Sequence, residues 1–221
     1  MPRTGCDGDG APSLAERLRL MVVTKPDPAC GRPLPEVVAE VLASGATAIQ
    51  LRDKRADGRR LFREARALCN LVRRAGGLFL VNDRLDVALA SGADGVHLGP
   101  DDLPVRAARR IAPAGFVIGF STDHPAAART AAAEGADYLG VGAVFGTRTK
   151  PGLAEEAIGP FRVATVLRAA RRPGVGIGGI TPDNAAAVAR IGAGVAVSSA
   201  VMDAEHPGET VRLLLDAVRE A

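Results

Sequence analysis

Two strand ends carry the clearest chemistry in this chain. Asn82-Asp83 closes an apolar run at residues 78–81, and Asp101-Asp102 follows a second run at 95–98. Between them Leu85, Ala88 and Leu89 recur at helical spacing, and Ala93-Asp94-Gly95 turns the chain. Strand, short helix, strand is the expected order. In a parallel sheet the strand C-termini share one edge, so Asp83 and Asp102 come close together there. Two hard carboxylates on one edge make half of a magnesium site, completed by water and a phosphate substrate. The alternative is that each aspartate N-caps the helix after it. For either residue taken alone the cap is the favoured reading, and the rest of the chain decides between them.

Cations and hydroxyls suited to phosphates gather at other predicted strand ends. Of 28 basic residues only Lys25, Lys54 and Lys150 are lysine, and each follows a predicted strand. An ammonium is a compact point charge that meets a phosphate oxygen without a planar fork. Lys54 and Lys150 therefore read as phosphate ligands, with chance placement as the alternative. In the run Gln50-Leu51-Arg52-Asp53-Lys54, alternation puts Gln50, Arg52 and Lys54 on one side of a strand end. The loop at 146–152 contains Thr147, Arg148, Thr149 and Lys150. Two hydroxyls, charge and backbone N–H groups there form either an anion cradle or a solvated surface loop. Gly178-Gly179 and Ser198-Ser199 follow two later strands, where barrels often place a phosphate. His97 lies within a strand and reads as a satisfied structural histidine. His124 belongs at a helix N-terminus and His206 on the surface. No serine, histidine and acid arrangement suggests a triad.

These positions need a scaffold, and 221 residues supply one domain with an ample core. The hydrophobic content, 47%, is spread over short runs, none long enough to span a membrane. The N-terminus lacks a signal-peptide core, so a cytoplasmic protein is expected. Cys6, Cys30 and Cys69 are widely spaced and read as reduced thiols, with no disulfide framework or zinc pattern. A net charge of +3 with only 3% aromatics fits small anionic ligands and argues against a nucleic-acid stacking platform. Assembly as a homo-oligomer is left open.

Residues 1–13 are rich in Gly, Asp and Pro without periodicity and are expected to form a disordered tail. Strands are predicted at 20–24, 47–51, 78–81, 95–98, 116–120, 137–141, 175–178 and 194–197. Helices are predicted at 35–44, 58–74, 103–111, 125–134, 160–171, 182–191 and 208–219, besides the short one after Asp83. Strand and helix alternate eight times with a repeat of about 25 residues. The expected fold class is therefore α/β, a single-domain (β/α)8 TIM barrel over 14–221. A doubly wound open sheet is the runner-up, but the first strand is followed by no Gly-rich turn. The C-terminal edge of the barrel, where barrel enzymes build their active sites, would carry Arg52, Lys54, Asn82, Asp83, Asp102, Ser121, residues 147–150, Gly179, Ser198 and Ser199.

The motifs QLRDK at 50–54, VNDR at 81–84, GVHLGPDD at 95–102, GFST at 119–122, TRTKPG at 147–152 and GIGGIT at 176–181 resemble the thiamine-phosphate synthase family. The resemblance runs from about residue 20 to residue 202. It implies a (β/α)8 barrel that joins a pyrimidine diphosphate to a thiazole phosphate, giving thiamine phosphate and pyrophosphate. It also implies that Gln50, Leu51, Arg52, Asp53, Lys54 and Asn82 bind the pyrimidine diphosphate, and that Asp83 and Asp102 hold Mg2+. Ser121 and Lys150 would meet the diphosphate. Thr147, Arg148, Thr149, Gly179, Ser198 and Ser199 would hold the thiazole phosphate.

The reaction needs no general base, because the thiazole nitrogen has no proton to lose. The demanding step is departure of pyrophosphate, so Arg52, Lys54, Ser121 and Lys150 are the expected catalytic groups, with the metal. The chain departs from the family pattern at Pro100, where a glutamine is usual, at Thr24-Lys25, and at Ser198. A thiazole tautomerase on the same barrel and a non-catalytic regulator of thiamine metabolism are the alternatives. Asp83, Asp102 and Lys150 favour the synthase.

Overall fold

The computed structural model describes residues 12–28, 30–146 and 157–221. In chain order the elements are α1 (Leu14–Arg17), β1 (Leu20–Val23), α2 (Leu34–Ala43), β2 (Ala48–Leu51), α3 (Gly58–Arg74), β3 (Leu78–Asn82), α4 (Leu85–Ser91), β4 (Gly95–Leu98) and α5 (Val105–Ile111). There follow β5 (Val117–Ser121), α6 (Pro125–Glu134), β6 (Tyr138–Gly142), α7 (Gly159–Ala170), β7 (Gly174–Ile177), α8 (Ala185–Ala189), β8 (Gly194–Val197), α9 (Ser199–Met202) and α10 (Pro207–Arg219). The eight strands pair in sequence order, all parallel, and β8 returns to β1 to close the barrel.

Alternation along each strand divides the core in two. Met21, Val23, Ala48, Leu78, Leu80, Val117, Tyr138, Val175 and Ala196 fill the barrel interior, with Leu18 at its N-terminal end. Their strand neighbours Leu20, Val22, Ile49, Leu51, Phe79, Val81, Val96, Leu98, Ile118, Leu139 and Val141 face out and pack under the helices. On α3 the matching stripe is Leu61, Ala65, Leu68, Cys69 and Val72. Burying one such Leu or Val contributes about 1.5–3 kcal/mol, so a charge at an outward strand position such as Ile49 would unseat a helix. Asp57 starts α3 by accepting the Arg60 backbone N–H at 2.9 Å, a cap whose loss costs about 1 kcal/mol.

The predicted bounds of α3, β4, α6 and β8 are the observed ones. Most of the others shift by one residue at one or both ends, and three elements differ by more. Helix α5 begins at Val105 with Pro104 at its N-cap, because a residue before proline, here Leu103, is pushed out of helical geometry. Helix α8 begins only after Asn184, whose side chain accepts the Thr181 N–H at 2.9 Å and donates to the Gly179 carbonyl at 3.0 Å. Residues 182–184 therefore form a turn that clamps the end of β7. The short helix α9 is not expected from the sequence, since four residues give no periodic signal. Ser13, which the sequence reading leaves in the tail, N-caps α1 in a reciprocal pair with Glu16. Among the described residues no helix is long and apolar enough to cross a membrane.

Candidate active site

Strand parity brings the site together. Leu78 and Leu80 point into the barrel, so Asn82 shares their side; Val96 and Leu98 point out, so His97 points in. Asn82 pairs with His97, His97 with Gly119, and Ser121 with Gly140 across adjacent strands. These inward positions lie at the C-terminal mouth, beside the loops that carry the acids.

Asp83 and Asp102 meet there. The Asp83 backbone donates to the His97 carbonyl at 2.8 Å and holds a φ of +62°, a left-handed conformation in a residue that has a side chain. Such a residue costs about 1–3 kcal/mol and persists only where the surroundings fix it, a pattern that clusters at functional sites. Lys54 Nζ lies 3.0 Å from Asp83 Oδ2. Asp102 Oδ2 accepts the Gly99 N–H at 2.6 Å. Burial pushes the Asp102 carboxyl above the usual range, and the neighbouring Asp83 carboxylate pushes the same way; the Gly99 N–H and the Lys54 charge oppose them.

The capping alternative fails, because the N-caps of α4 and α5 are Arg84 and Pro104 and neither helix has a side-chain cap. Two mutually repelling carboxylates with hard oxygen donors suit a small dication. Among the described residues no group of three or more His, Cys, Asp or Glu is placed to hold a metal. A pair is still what magnesium commonly uses when water and substrate phosphates fill its other positions.

The 50–54 segment divides by parity. Gln50 is buried in the interior, with Nε2 3.5 Å from Met21 Sδ. The Arg52 backbone donates to Thr24 Oγ1 at 3.0 Å, and its side chain is half-buried with no hydrogen bond or ion pair to the described residues. Leu51 packs outward in the core under the helices. Asp53 folds into its own loop: Oδ1 accepts the Arg55 and Ala56 N–H groups at 2.8 and 3.2 Å, Oδ2 lies 3.5 Å from Arg60, and the side chain is 1% exposed. The Leu51 and Asp53 side chains therefore do not reach the mouth, and only their backbone could touch a substrate. Lys25 pairs with Asp203 at 2.6 Å, tying the loop after β1 to the end of α9.

His97 is satisfied, as expected, but by partners that connect it to the site. Its Nδ1 lies 2.7 Å from Tyr138 Oη and its Nε2 2.7 Å from Ser121 Oγ. The Tyr138 phenol is fully buried, and burial pushes its pKa up while the nearby Gln50 side chain opposes this. Tyr138 is not among the residues picked out from the sequence. The available signal was that it is the single tyrosine and shares strand parity with Gly140 and Gly142. His124 sits at the α6 N-cap, but its side chain makes no cap bond and pairs with Asp123 at 3.4 Å.

On the far side of the mouth, the segment after β6 lies against the end of β7. Val144 N–H donates to Ile177 O at 2.9 Å and Phe145 N–H to Gly178 O at 3.0 Å. Gly179 has a φ of +65°, and a Cβ there would sit 2.4 Å from the Gly146 carbonyl oxygen, so only glycine allows this approach. The start of the 146–152 loop is thereby placed beside Gly179. Thr147, Arg148, Thr149 and Lys150 themselves lie outside the described residues. Ser198 is the N-cap of α9 and Ser199 its first residue.

The family profile described as thiamine monophosphate synthase matches residues 20–201. The chain is 46% identical to a thiamine-phosphate synthase of Haloquadratum walsbyi over 206 residues, 92% of each chain. It is 47% identical to one from Natronomonas pharaonis, covering 89% of this chain and 93% of that one. Among solved structures, a thiamine phosphate pyrophosphorylase of Pyrococcus furiosus superposes with a TM-score of 0.85 at 41% identity, covering 94% of this chain and 98% of that one. A match across nearly the whole barrel, at this identity, means that the chain belongs to the thiamine monophosphate synthase family.

Proposed function

We propose that this enzyme joins 4-amino-2-methyl-5-hydroxymethylpyrimidine diphosphate to a thiazole phosphate, releasing pyrophosphate and forming thiamine phosphate. The observation that carries this reading is the mouth itself: the Asp83–Asp102 pair, with Lys54 bonded to Asp83, at the barrel end that also holds Gln50, Asn82 and Ser121.

In this reading Gln50, Arg52 and Asn82 hold the pyrimidine diphosphate. Asp83 and Asp102 would hold Mg2+, which when bound supplies positive charge to the diphosphate oxygens. Lys54, Arg52, Ser121 and Lys150 meet the charge that grows on pyrophosphate as it departs, and preorganised donors of this kind supply the main lowering of the barrier. Thr147, Arg148, Thr149, Gly179, Ser198 and Ser199 position the thiazole phosphate, so that its ring nitrogen faces the pyrimidine methylene. That nitrogen attacks as a free lone pair and becomes quaternary. No proton has to leave, which agrees with a mouth that offers acids for a metal and no poised base. The charged substrates do not cross membranes unaided, which supports a cytoplasmic location.

The test is pyrophosphate release with both substrates and magnesium, against controls lacking each. Release that requires both substrates and stops with chelator is expected. Isomerisation of the thiazole alone, independent of metal, would instead identify a tautomerase. No turnover of either kind would refute catalysis.

A further inference from the structure

We infer that a hydrogen-bond relay through the barrel interior, from Tyr138 through His97, fixes the Ser121 hydroxyl as a donor toward the mouth. This makes Tyr138 and His97 positioning residues that act through Ser121, and it rests on the reading that Ser121 faces the substrate diphosphate. The relay is built into the strands. Gln50, His97 and Tyr138 come from β2, β4 and β6, the alternate-strand arrangement by which barrels stack one interior layer. The room for it comes from two inward glycines. A Cβ at Gly119 would lie 2.2 Å from Tyr138 Cζ and 2.5 Å from His97 Nδ1, and one at Gly140 would lie 2.9 Å from His97 Cε1. Any side chain at either position would displace the relay.

Its direction follows from its inner end. Hydroxyl and imidazole contacts can run either way, since one hydrogen is shared at each link. Tyr138 is fully buried, and among the described residues its hydroxyl has one hydrogen-bond partner, His97 Nδ1. Accepting from Nδ1 would leave the phenol hydrogen buried and unpaired, at the full cost of its desolvation. The Tyr138 O–H then goes to His97 Nδ1 at 2.7 Å. With Nδ1 accepting, a neutral imidazole carries its proton on Nε2, which donates to Ser121 Oγ at 2.7 Å. The one hydrogen of Ser121 is left for the mouth. In the reverse direction Ser121 would donate inward and offer only lone pairs to a phosphate oxygen, which repel.

The first test needs no substrate. In the 15N-histidine spectrum of the wild-type protein, with His124→Gln and His206→Gln assigning the two other rings, His97 should show an unprotonated Nδ1 and a protonated Nε2. A proton on Nδ1, or on both nitrogens, overturns the inference. The second test is kinetic. Tyr138→Phe is expected to lower kcat about tenfold with little change in the KM for the pyrimidine diphosphate. In a Ser121→Ala background the same change should have no further effect. Losses that multiply instead would show that Tyr138 acts independently of Ser121 and would refute the relay. Full activity of Ser121→Ala would also refute it, while pyrophosphate release by the wild type would leave the proposed reaction standing.

Discussion

Replacing Lys54 with methionine separates a structural from a catalytic use of its charge. Lys54 Nζ lies 3.0 Å from Asp83 Oδ2, with the two side chains 57% and 22% exposed. At that separation two unit charges attract by about 1.4 kcal/mol at the dielectric of water and about 5.5 kcal/mol at an effective value near 20. The exposure of the lysine places the pair near the lower figure. Ordering a long side chain and screening by salt reduce it further, so Lys54→Met should cost about 1 kcal/mol of stability or less. Methionine also keeps the apolar stem. The rate should respond quite differently. Loss of one preorganised donor aimed at growing negative charge typically costs about 3–4 kcal/mol in the transition state, roughly a hundredfold to a thousandfold in turnover. The measurement is a urea unfolding curve beside saturated pyrophosphate release at fixed magnesium. A stability loss of about 3 kcal/mol with near-normal turnover of the folded fraction would reduce Lys54 to a counter-ion of Asp83.

Three other perturbations probe the site. Asp83→Asn and Asp102→Asn should both fold and lose most turnover, with partial rescue by excess magnesium; full activity of both at defined magnesium would remove the metal assignment. The folded state holds the Asp102 proton more tightly than the unfolded chain does, so wild-type stability falls as pH rises from the ordinary carboxylate value through the raised one. Asp102→Asn should erase that slope in metal-free melts, and an unchanged slope would mean that Asp102 does not cause it. Lys150→Ala should lose roughly a hundredfold to a thousandfold in turnover, and Lys150→Arg should recover only part, since the planar head does not replace a point charge; near-normal rates in both would reduce the lysine pattern to chance. Asp53→Ala strips two backbone N–H groups of their acceptor and should cost about 1–3 kcal/mol of stability with turnover per folded molecule kept; lost turnover with an unmoved melt would place the carboxylate on the substrate.

The barrel was legible because the strands are short apolar runs separated by loops, and the longer helices carry an apolar stripe. Parity was legible at Gln50, since a period of two survives in any strand; Arg52 and Lys54 lie beyond the end of β2. Two kinds of feature were not. Conformations that depend on contacts from afar leave no local mark: the left-handed Asp83 looks like any residue at a strand end, and α9 is one turn with no period. Partnership across strands was also hidden. His97, Ser121 and Tyr138 are far apart in the chain, and only register puts Ser121 opposite Gly140 and His97 opposite Gly119. Asp53 shows the converse, a motif residue whose side chain turns back to hold its own loop.

Polarity rises along the barrel axis in a way that divides scaffold from site. At the N-terminal end Leu18, Ala48, Leu78, Val117 and Val175 are apolar and closed to water. One layer up, Gln50, Tyr138 and His97 are polar and buried; Gln50 meets the Met21 thioether, and Tyr138 and His97 answer each other. A buried polar group left unanswered would cost about 1–3 kcal/mol, so this layer is stable only as a set, and its last member, Ser121, passes the chain of bonds to the surface. At the mouth the rule changes. Among the described residues the Asn82 and Arg52 side chains make no hydrogen bond or ion pair, though both are half-buried. Asp83 and Asp102 repel each other, and the Lys54 charge and the Gly99 N–H only partly offset this. Groups that answer one another hold the barrel in shape, and groups held in place without an answer are those a charged substrate and its cation would complete.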